Sequence, residues 1–388
     1  MRSVLVREAN VRRRRLVGGL RDGGALTEAP WARAFQGVPR HAFLPRFFVQ
    51  SPTGWSAVGF GDAGWLPAVY EDRVLVTQLD DDPDAWDVAR RTGSVHGTPT
   101  CSSSMPSIMA IMLEELLVAD GMRVLEIGTG TGYNAALLCH RLGDANVSTV
   151  DIDPALVEGA TECLRSAGYQ PRTATRDGTL GLAESAPFDR VLCTCAVSTI
   201  PPAWLEQTRP GGVIVTTLNR PIGAGLVRIV VGDDGTAKGR VLARDGRFMP
   251  LRAHRWEDPG ALLADAGLQP ASVRESALPV SAVVNPGRGF EFFAGLALRG
   301  VTAVFDPNDP NVTCLVHPDG SWSRHRHGDQ RHPVEQGGPR RLWDLAEEAH
   351  ASWLELGRPA REEFGLTIDG ERQEFWLRTE DSDARWPL

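Results

Sequence analysis

Val124-Leu125-Glu126-Ile127-Gly128-Thr129-Gly130-Thr131-Gly132-Tyr133 runs from an apolar strand through three alternate glycines into residues with helical spacing. Glycine lets a chain turn tightly and a ligand approach the backbone without meeting a Cβ, and the following helix presents unpaired amides. A dinucleotide fingerprint asks for Gly-x-Gly-x-x-Gly with a pyrophosphate held on that helix. Here the third glycine comes one position early and Tyr133 stands in its place. Glu126 adds a carboxylate at the strand end, which suits an amine better than a phosphate. S-adenosylmethionine (SAM), with its amino acid portion and sulfonium, fits that setting. A nicotinamide or flavin cofactor and a ligand-free turn are the competing readings. The residues that the turn offers a cofactor are Glu126, Gly128, Thr129, Gly130, Gly132 and Tyr133.

Outward from the turn, strands and helices alternate. Ile108, Met109, Met112, Leu113, Leu116 and Leu117 recur in steps of three and four, predicting a helix over 106–117 with one buried stripe. A helix is expected over 134–142, a strand over 147–152, a helix over 154–167, and strands over 172–175, 191–194 and 213–218. Such alternation calls for a mostly parallel sheet covered on both faces, a Rossmann-like α/β fold. The second strand ends at Asp151-Ile152-Asp153-Pro154. An acid there accepts hydrogen bonds from ribose hydroxyls; Asp151, directly after the strand, is the first choice with Ile152 beside it. Asp153 reads better as an N-cap. Asp177-Gly178 follows the third strand, where the adenine side of the pocket belongs.

The flanks differ. Residues 1–70 read as a helical and loop segment, with 54–65 as packed loop; 71–245 form the cofactor domain; 246–388 form an appended α+β domain. In the last, helices are expected over 259–266 and 341–356, strands over 313–317, 365–368 and 373–378, and loops over 285–289 and the histidine-rich 323–338. With 388 residues and 42% hydrophobic content, more than one core is expected. A net charge of −8 gives no general attraction for nucleic acid. Arg12 to Arg15 run against it, read as a solvated helix face or as a docking surface for an acidic peptide. The six cysteines include no C-x-x-C pair, so no disulfide framework is expected; no long apolar run predicts a membrane span, and a reducing cytoplasm fits. His317, His325, His327 and His332 are interleaved with arginines that repel a cation, so no metal site is expected. Trp322, Trp343 and Trp376 are candidates for substrate recognition, with burial the default for the last two. The oligomeric state is open, with a monomer as the starting expectation.

Several blocks in fixed order resemble the protein L-isoaspartate O-methyltransferase family: Val38-Pro39-Arg40 with Phe43 and Pro45, Tyr70-Glu71-Asp72, Ser102-Ser103-Ser104-Met105-Pro106, the glycine turn, Asp177-Gly178, Phe188-Asp189, Ile200 to Leu205 and Arg209-Pro210-Gly211-Gly212. Together they span roughly residues 35–220. The family shows Thr-Ile-Ser-x-Pro before its first core helix, with the serine beside the methyl-accepting carboxylate. The resemblance therefore gives Ser104 the catalytic position, with Ser103 and Ser102 in the same loop. It also implies SAM as donor and S-adenosyl-L-homocysteine as product. The family's Gly-Gln-Thr is replaced by the region from Gly97 to Cys101.

The sequence is similar, more closely still, to the methyltransferases that accompany ATP-grasp peptide maturases in actinobacterial ribosomal peptide pathways, which carry a further C-terminal domain. That resemblance implies a modified precursor peptide as substrate, a functional link to an ATP-grasp ligase, and an aspartate side chain as acceptor, its ester leading through a succinimide toward isoaspartate. General isoaspartate repair is the alternative. A carboxylate is already nucleophilic at neutral pH, so alignment is the main requirement. Ser104 is expected to orient the acceptor; the competing role for it is capping the helix that begins near Pro106.

Overall fold

The computed structural model describes residues 2–265, 269–285, 287–306, 309, 311–327, 332–370 and 372–388. The chain forms two compact units, one of Met1–Cys195, Pro201–Thr216 and Val230–Asp233, the other of Ala196–Ile200, Thr217–Ile229 and Asp234–Leu388.

The first unit begins with helices α1 (Arg2–Asp22) and α2 (Ala29–Gly37), then strands β1 (Arg46–Ser51) and β2 (Gly54–Gly59), α3 (Trp65–Val69), β3 (Leu75–Leu79), α4 (Ala85–Thr92) and β4 (Pro99–Ser103). The four strands form a sheet in the order β2-β1-β3-β4, antiparallel throughout. Phe48, Val76 and Leu79 of this sheet pack with Ala85 and Ala89 of α4, and Trp55 and Trp86 close the cluster. Of the loop expected over 54–65, residues 54–59 are thus a strand and 60–64 a turn that leads into α3. Gly54, at φ +118°, supplies the turn that pairs β2 with β1, and the dense glycines there disguised a hairpin.

Then follow α5 (Pro106–Glu115), β5 (Val124–Ile127), α6 (Tyr133–Leu142), β6 (Val147–Asp151), α7 (Pro154–Ser166), β7 (Arg172–Thr175), β8 (Phe188–Val197), α8 (Pro202–Glu206) and β9 (Thr208–Leu218). Their order in the sheet is β9-β8-β5-β6-β7, and β5 runs parallel to both β6 and β8. This is the Rossmann-like architecture expected from the alternation. Chain order reverses beside β5, and ligands of such sheets bind beyond the carboxyl ends of the strands at that point. All four residues of β5 are buried, as a central parallel strand requires.

The second unit holds β10 (Gly225–Val231, whose last two residues belong to the first unit) and β11 (Ala237–Val241), with α9 (Pro259–Asp265), β12 (Ser272–Ser276), α10 (Val280–Val284), α11 (Phe290–Ala297), β13 (Thr302–Phe305), β14 (Val312–Val316), β15 (Trp322–Arg326), β16 (His332–Gly337), α12 (Leu342–Glu355), β17 (Phe364–Asp369), β18 (Arg372–Leu377) and β19 (Arg385–Pro387). Strands β12 to β16 make an antiparallel sheet in the order β12-β16-β15-β14-β13. β17 lies antiparallel between β11 and β18. The sheet β12 to β16 with its helices is a separate C-terminal α+β domain, while β10 and β11, expected in the cofactor domain, fall largely in this unit.

Its interior corrects two expectations. The histidine-rich stretch is a hairpin of β15 and β16; residues 328–331, also inside the expected loop, lie outside the described residues, as do Ala266 of the expected helix and Pro286 of the expected loop. The strands were hidden because their inward residues are polar. Ser323, His325 and Gln336 are all buried, and the Ser323 hydroxyl pairs with His325 Nε2 at 2.8 Å. Trp322 is buried along with Trp343 and Trp376, so none of the three is a recognition surface. On α1, Arg12 pairs with Glu8 one turn back and Arg13 bonds Asn10, the pattern of a solvated helix face. Among the described residues no helix is long and apolar enough to cross a membrane, and no three His, Cys, Asp or Glu side chains are grouped to hold a metal.

Burial pushes the His325 imidazole down to about 3, so it stays neutral when folded while the unfolded chain takes a proton below about pH 6.5. Its folded value is depressed, so stability is complete above the unfolded value and is lost as pH falls. Between pH 7 and pH 5 the wild type should lose about 2 kcal/mol more than His325→Asn in denaturant unfolding monitored by tryptophan fluorescence. Equal losses would contradict a buried neutral imidazole.

Candidate active site

The turn after β5 places Gly128, Gly130 and Gly132 at positive φ. At Gly128 a Cβ would stand 2.8 Å from both Cys195 Sγ and Thr194 Oγ1, and at Gly132 it would press on Ala160 and Leu164 of α7. Gly128 therefore lets the turn pack on the end of β8, and Gly132 lets α6 and α7 approach. Neither position admits a side chain at both its space and its φ.

Behind the turn lies a polar network. The Glu126 carboxyl is fully buried and accepts from Asn134 Nδ2 at 2.7 Å and from the Thr149 hydroxyl at 2.6 Å. The Thr129 hydroxyl pairs with that of Thr149 at 2.7 Å. Burial, the dominant cause, pushes Glu126 up to about 7 against those two hydrogen bonds. Tyr133 is also buried, in edge and tilted contact with Phe35 and Phe43. The side chains of Thr129 and Tyr133 thus hold the turn from inside, leaving its backbone to face a ligand. Glu126 itself is fully enclosed behind the turn, its carboxyl engaged by Asn134 and Thr149.

The open side carries the other candidates. Asp151 Oδ2 accepts from Gly130 N at 2.9 Å and Oδ1 from Asp153 N at 3.3 Å, and burial raises the carboxyl above the usual range. The Ile152 amide also acts on this carboxylate, and of its about four lone-pair sites the remaining capacity is what a ribose hydroxyl can use. Asp153 caps α7, accepting from Ala155 N and Leu156 N, and receives Gln78 Nε2 at 2.9 Å. Asp177 accepts from the Thr179 amide and hydroxyl, while Trp204 Nε1 donates to the Gly178 carbonyl at 2.8 Å. Ile152 is 38% exposed and Leu180 59% exposed, large apolar side chains at the ends of the second and third strand segments. Leu180 escaped the sequence reading, having no neighbour of the same chemistry.

SAM fits what is present: a turn of three glycines at positive φ, an acid at the end of the second strand, and two uncovered apolar side chains suited to the faces of a purine. When bound, SAM supplies a sulfonium methyl of high reactivity toward a carboxylate.

The serine loop approaches from the antiparallel sheet. In the β3–β4 ladder Val76 faces Ser102 and Leu75 faces Ser103. The Ser102 carbonyl oxygen stands 3.8 Å, and Cys101 Sγ 3.6 Å, from where a Cβ on Gly130 would be, so the loop lies against the glycine turn. The three serines then diverge. Ser103 is buried, and its hydroxyl accepts from Arg40 at 3.3 Å. Ser102 is half-buried. Ser104 is half-buried too; its carbonyl accepts from Arg40, while no hydrogen bond of its hydroxyl occurs among the described residues. The capping role falls elsewhere: Met105 is the N-cap residue of α5 with no side-chain bond, and Asp72 Oδ1 accepts from Ser107 N at 2.8 Å. The Tyr70-Glu71-Asp72 block carried that signal in the sequence.

The protein-L-isoaspartate(D-aspartate) O-methyltransferase family profile matches residues 90–255. The protein-L-isoaspartate O-methyltransferase of Azorhizobium caulinodans is 39% identical over 151 residues, 39% of this chain and 68% of that one. That of Xanthobacter autotrophicus is 42% identical over 150 residues, 38% of this chain and 67% of that one. A solved protein-L-isoaspartate O-methyltransferase superposes with a TM-score of 0.53 at 23% identity, covering 95% of this chain and 100% of its own, which shows a shared fold.

The two acids of the second strand separate by experiment. Asp151→Asn should weaken SAM binding at least about tenfold with little change in Tm, because it removes an acceptor of charge-assisted bonds. Asp153→Ala should cost about 1 kcal/mol of stability through the lost cap. Calorimetric titration with SAM and thermal melts read both, and the reverse pattern would exchange their roles. Glu126 makes a further prediction. Its folded value is raised, so the apo protein loses stability as pH rises from about 4.5, the unfolded value, to about 7. Glu126→Gln should flatten that fall, by up to about 3 kcal/mol; parallel pH profiles would contradict it.

Proposed function

The chain belongs to the protein-L-isoaspartate O-methyltransferase family and is a SAM-dependent carboxyl O-methyltransferase, and from that premise we propose that its acceptor is the free carboxylate of an isoaspartyl residue in a polypeptide. The observation that carries this reading is the Ser104 hydroxyl, left without a hydrogen-bond partner among the described residues on a loop lying against the glycine turn. The names of its relatives support the substrate class.

The residues divide the work as follows. Asp151 and the amides around Gly128–Gly132 hold the donor, and Glu126 offsets positive charge from below. Ser104 donates a hydrogen bond to one oxygen of the acceptor carboxylate and turns the other toward the methyl. No base is required, because the acceptor is already ionised at neutral pH. The new ester carbonyl is then open to attack by the neighbouring backbone amide nitrogen, whose proton leaves with the expelled methoxide as methanol while the succinimide closes.

A second reading is a dedicated enzyme that methylates an aspartate in a ribosomally made precursor peptide, one cyclised by an ATP-grasp ligase. The observation in its favour is local. Cys101 stands in the region where the resemblance expects the Gly-Gln-Thr glutamine, and the connection from β3 to β4 carries the whole helix α4. The appended unit does not favour it, since the solved isoaspartate methyltransferase superposes on 95% of this chain.

Labelled SAM offered with an isoaspartyl peptide, its aspartyl form and a cyclised precursor peptide decides between the two. Efficient labelling of the isoaspartyl peptide supports the first reading, and labelling confined to the precursor the second. On the preferred acceptor Ser104→Ala should lower kcat/KM roughly 10- to 100-fold, the worth of one hydrogen bond to a charged group. Its SAM affinity should stay within about twofold. An unchanged rate would remove Ser104 from the site.

A further inference from the structure

Arg40 is the most deeply buried charge beside the serine loop, and nothing in the scheme above uses it. It opens the single 3-10 turn Arg40–Phe43, after Val38 has ended α2, and its side chain is wholly enclosed. Nη1 donates to the carbonyls of Val69 at 2.9 Å and Glu71 at 3.2 Å. Nη2 donates to the carbonyls of Arg73 at 3.3 Å and Ser104 at 3.0 Å, and to the Ser103 hydroxyl at 3.3 Å. The guanidinium carbon stands 5.9 Å from the centroid of Tyr133, the residue that follows the last glycine of the turn. Nε is buried without a partner among the described residues. One side chain thus touches the Val69–Arg73 segment, the serine loop and the start of α6.

Its partners are unusual for a buried arginine, being four carbonyls and a hydroxyl. No carboxylate lies within ion-pair distance among the described residues. Burial lowers the guanidinium to about 10, which leaves it charged at neutral pH. Asp72 attracts it from beyond ion-pair distance, yet enclosing a cation without a paired carboxylate is costly, and here the cost is incurred one residue from the hydroxyl assigned to an anionic acceptor.

We propose that Arg40 is a positioning residue for methyl transfer: its planar fork fixes Ser103 and Ser104 against the Val69–Arg73 segment, and its charge attracts the acceptor carboxylate to that loop. The inference rests on the reading of Ser104 as the acceptor-orienting group. The two parts have different kinetic signatures. The acceptor loses its charge as it is methylated, so a fixed cation favours bound acceptor over transition state and acts on KM. The fork sets the geometry of attack and acts on kcat. Lysine keeps the charge but has a compact ammonium that cannot span these acceptors, which separates the two.

The test uses full-length wild type, Arg40→Lys, Arg40→Met and Ser103→Ala, assayed well below each Tm with labelled SAM and an isoaspartyl peptide. SAM affinity by calorimetry should stay within about twofold in all of them. Arg40→Lys should lower kcat at least about tenfold with acceptor KM nearly unchanged, and Arg40→Met should lower kcat and also raise KM about tenfold or more. Ser103→Ala, which removes one acceptor of the fork and leaves the carbonyl contacts, should lower kcat about threefold to tenfold and combine with Arg40→Lys less than multiplicatively. Wild-type kcat in Arg40→Lys overturns the proposal, as does a loss of turnover that only tracks lost SAM binding and Tm. Should the Arg40 variants fail to fold, an unchanged kcat in Ser103→Ala overturns it alone. A wild type that methylates no carboxylate removes the reading beneath, an outcome visible before any variant is made.

Discussion

The structure depends on how closely backbone can approach at the end of β5. Gly128 faces Cys195 and Thr194 with no room for a Cβ, and Gly132 brings α6 onto α7. Beside these glycines the Asp151 carboxylate accepts from the Gly130 amide at 2.9 Å, and the Ser102 carbonyl lies in contact range of the turn. Cofactor cradle and acceptor loop are built on the same few atoms. A side chain added at Gly128 would strike Thr194 and Cys195 of β8, disturbing the turn and the sheet together.

Polar groups buried around this turn are matched by hydrogen bonds more than by opposite charges. Glu126 faces Asn134 and Thr149, and Arg40 faces carbonyls and Ser103. An acid behind the donor and a cation behind the acceptor loop give the site a polarity that matches a sulfonium on one side and a carboxylate on the other. Such fixed charges act without reorganising during the reaction.

What the sequence disclosed, and what it withheld, follows from how local each signal is. The strand–turn–helix at 124–142 and the acid at 151 are contiguous, and their periodicity places them without knowledge of the rest. Ser104 came from motif order, not from its own chemistry, and separating it from Ser103 took the position of Arg40, sixty-four residues earlier in the chain. Asp72 as the cap of α5 was equally remote. The β1–β2 hairpin was obscured by glycines, and β15 and β16 by inward-facing Ser323, His325 and Gln336, whose burial is permitted by partners that no pattern of apolar residues reveals. Leu180 became visible only as an exposed apolar side chain close to the pocket acids.

The central claim is geometric, that Ser104 faces the carboxylate to be esterified. A crystal structure of the protein with S-adenosylhomocysteine and an isoaspartyl peptide tests it without kinetics. The account predicts a peptide carboxylate oxygen within hydrogen-bond distance of Ser104 Oγ and its fellow oxygen directed at the sulfur. A peptide carboxylate held by other residues, with the Ser104 hydroxyl turned to solvent, would contradict it.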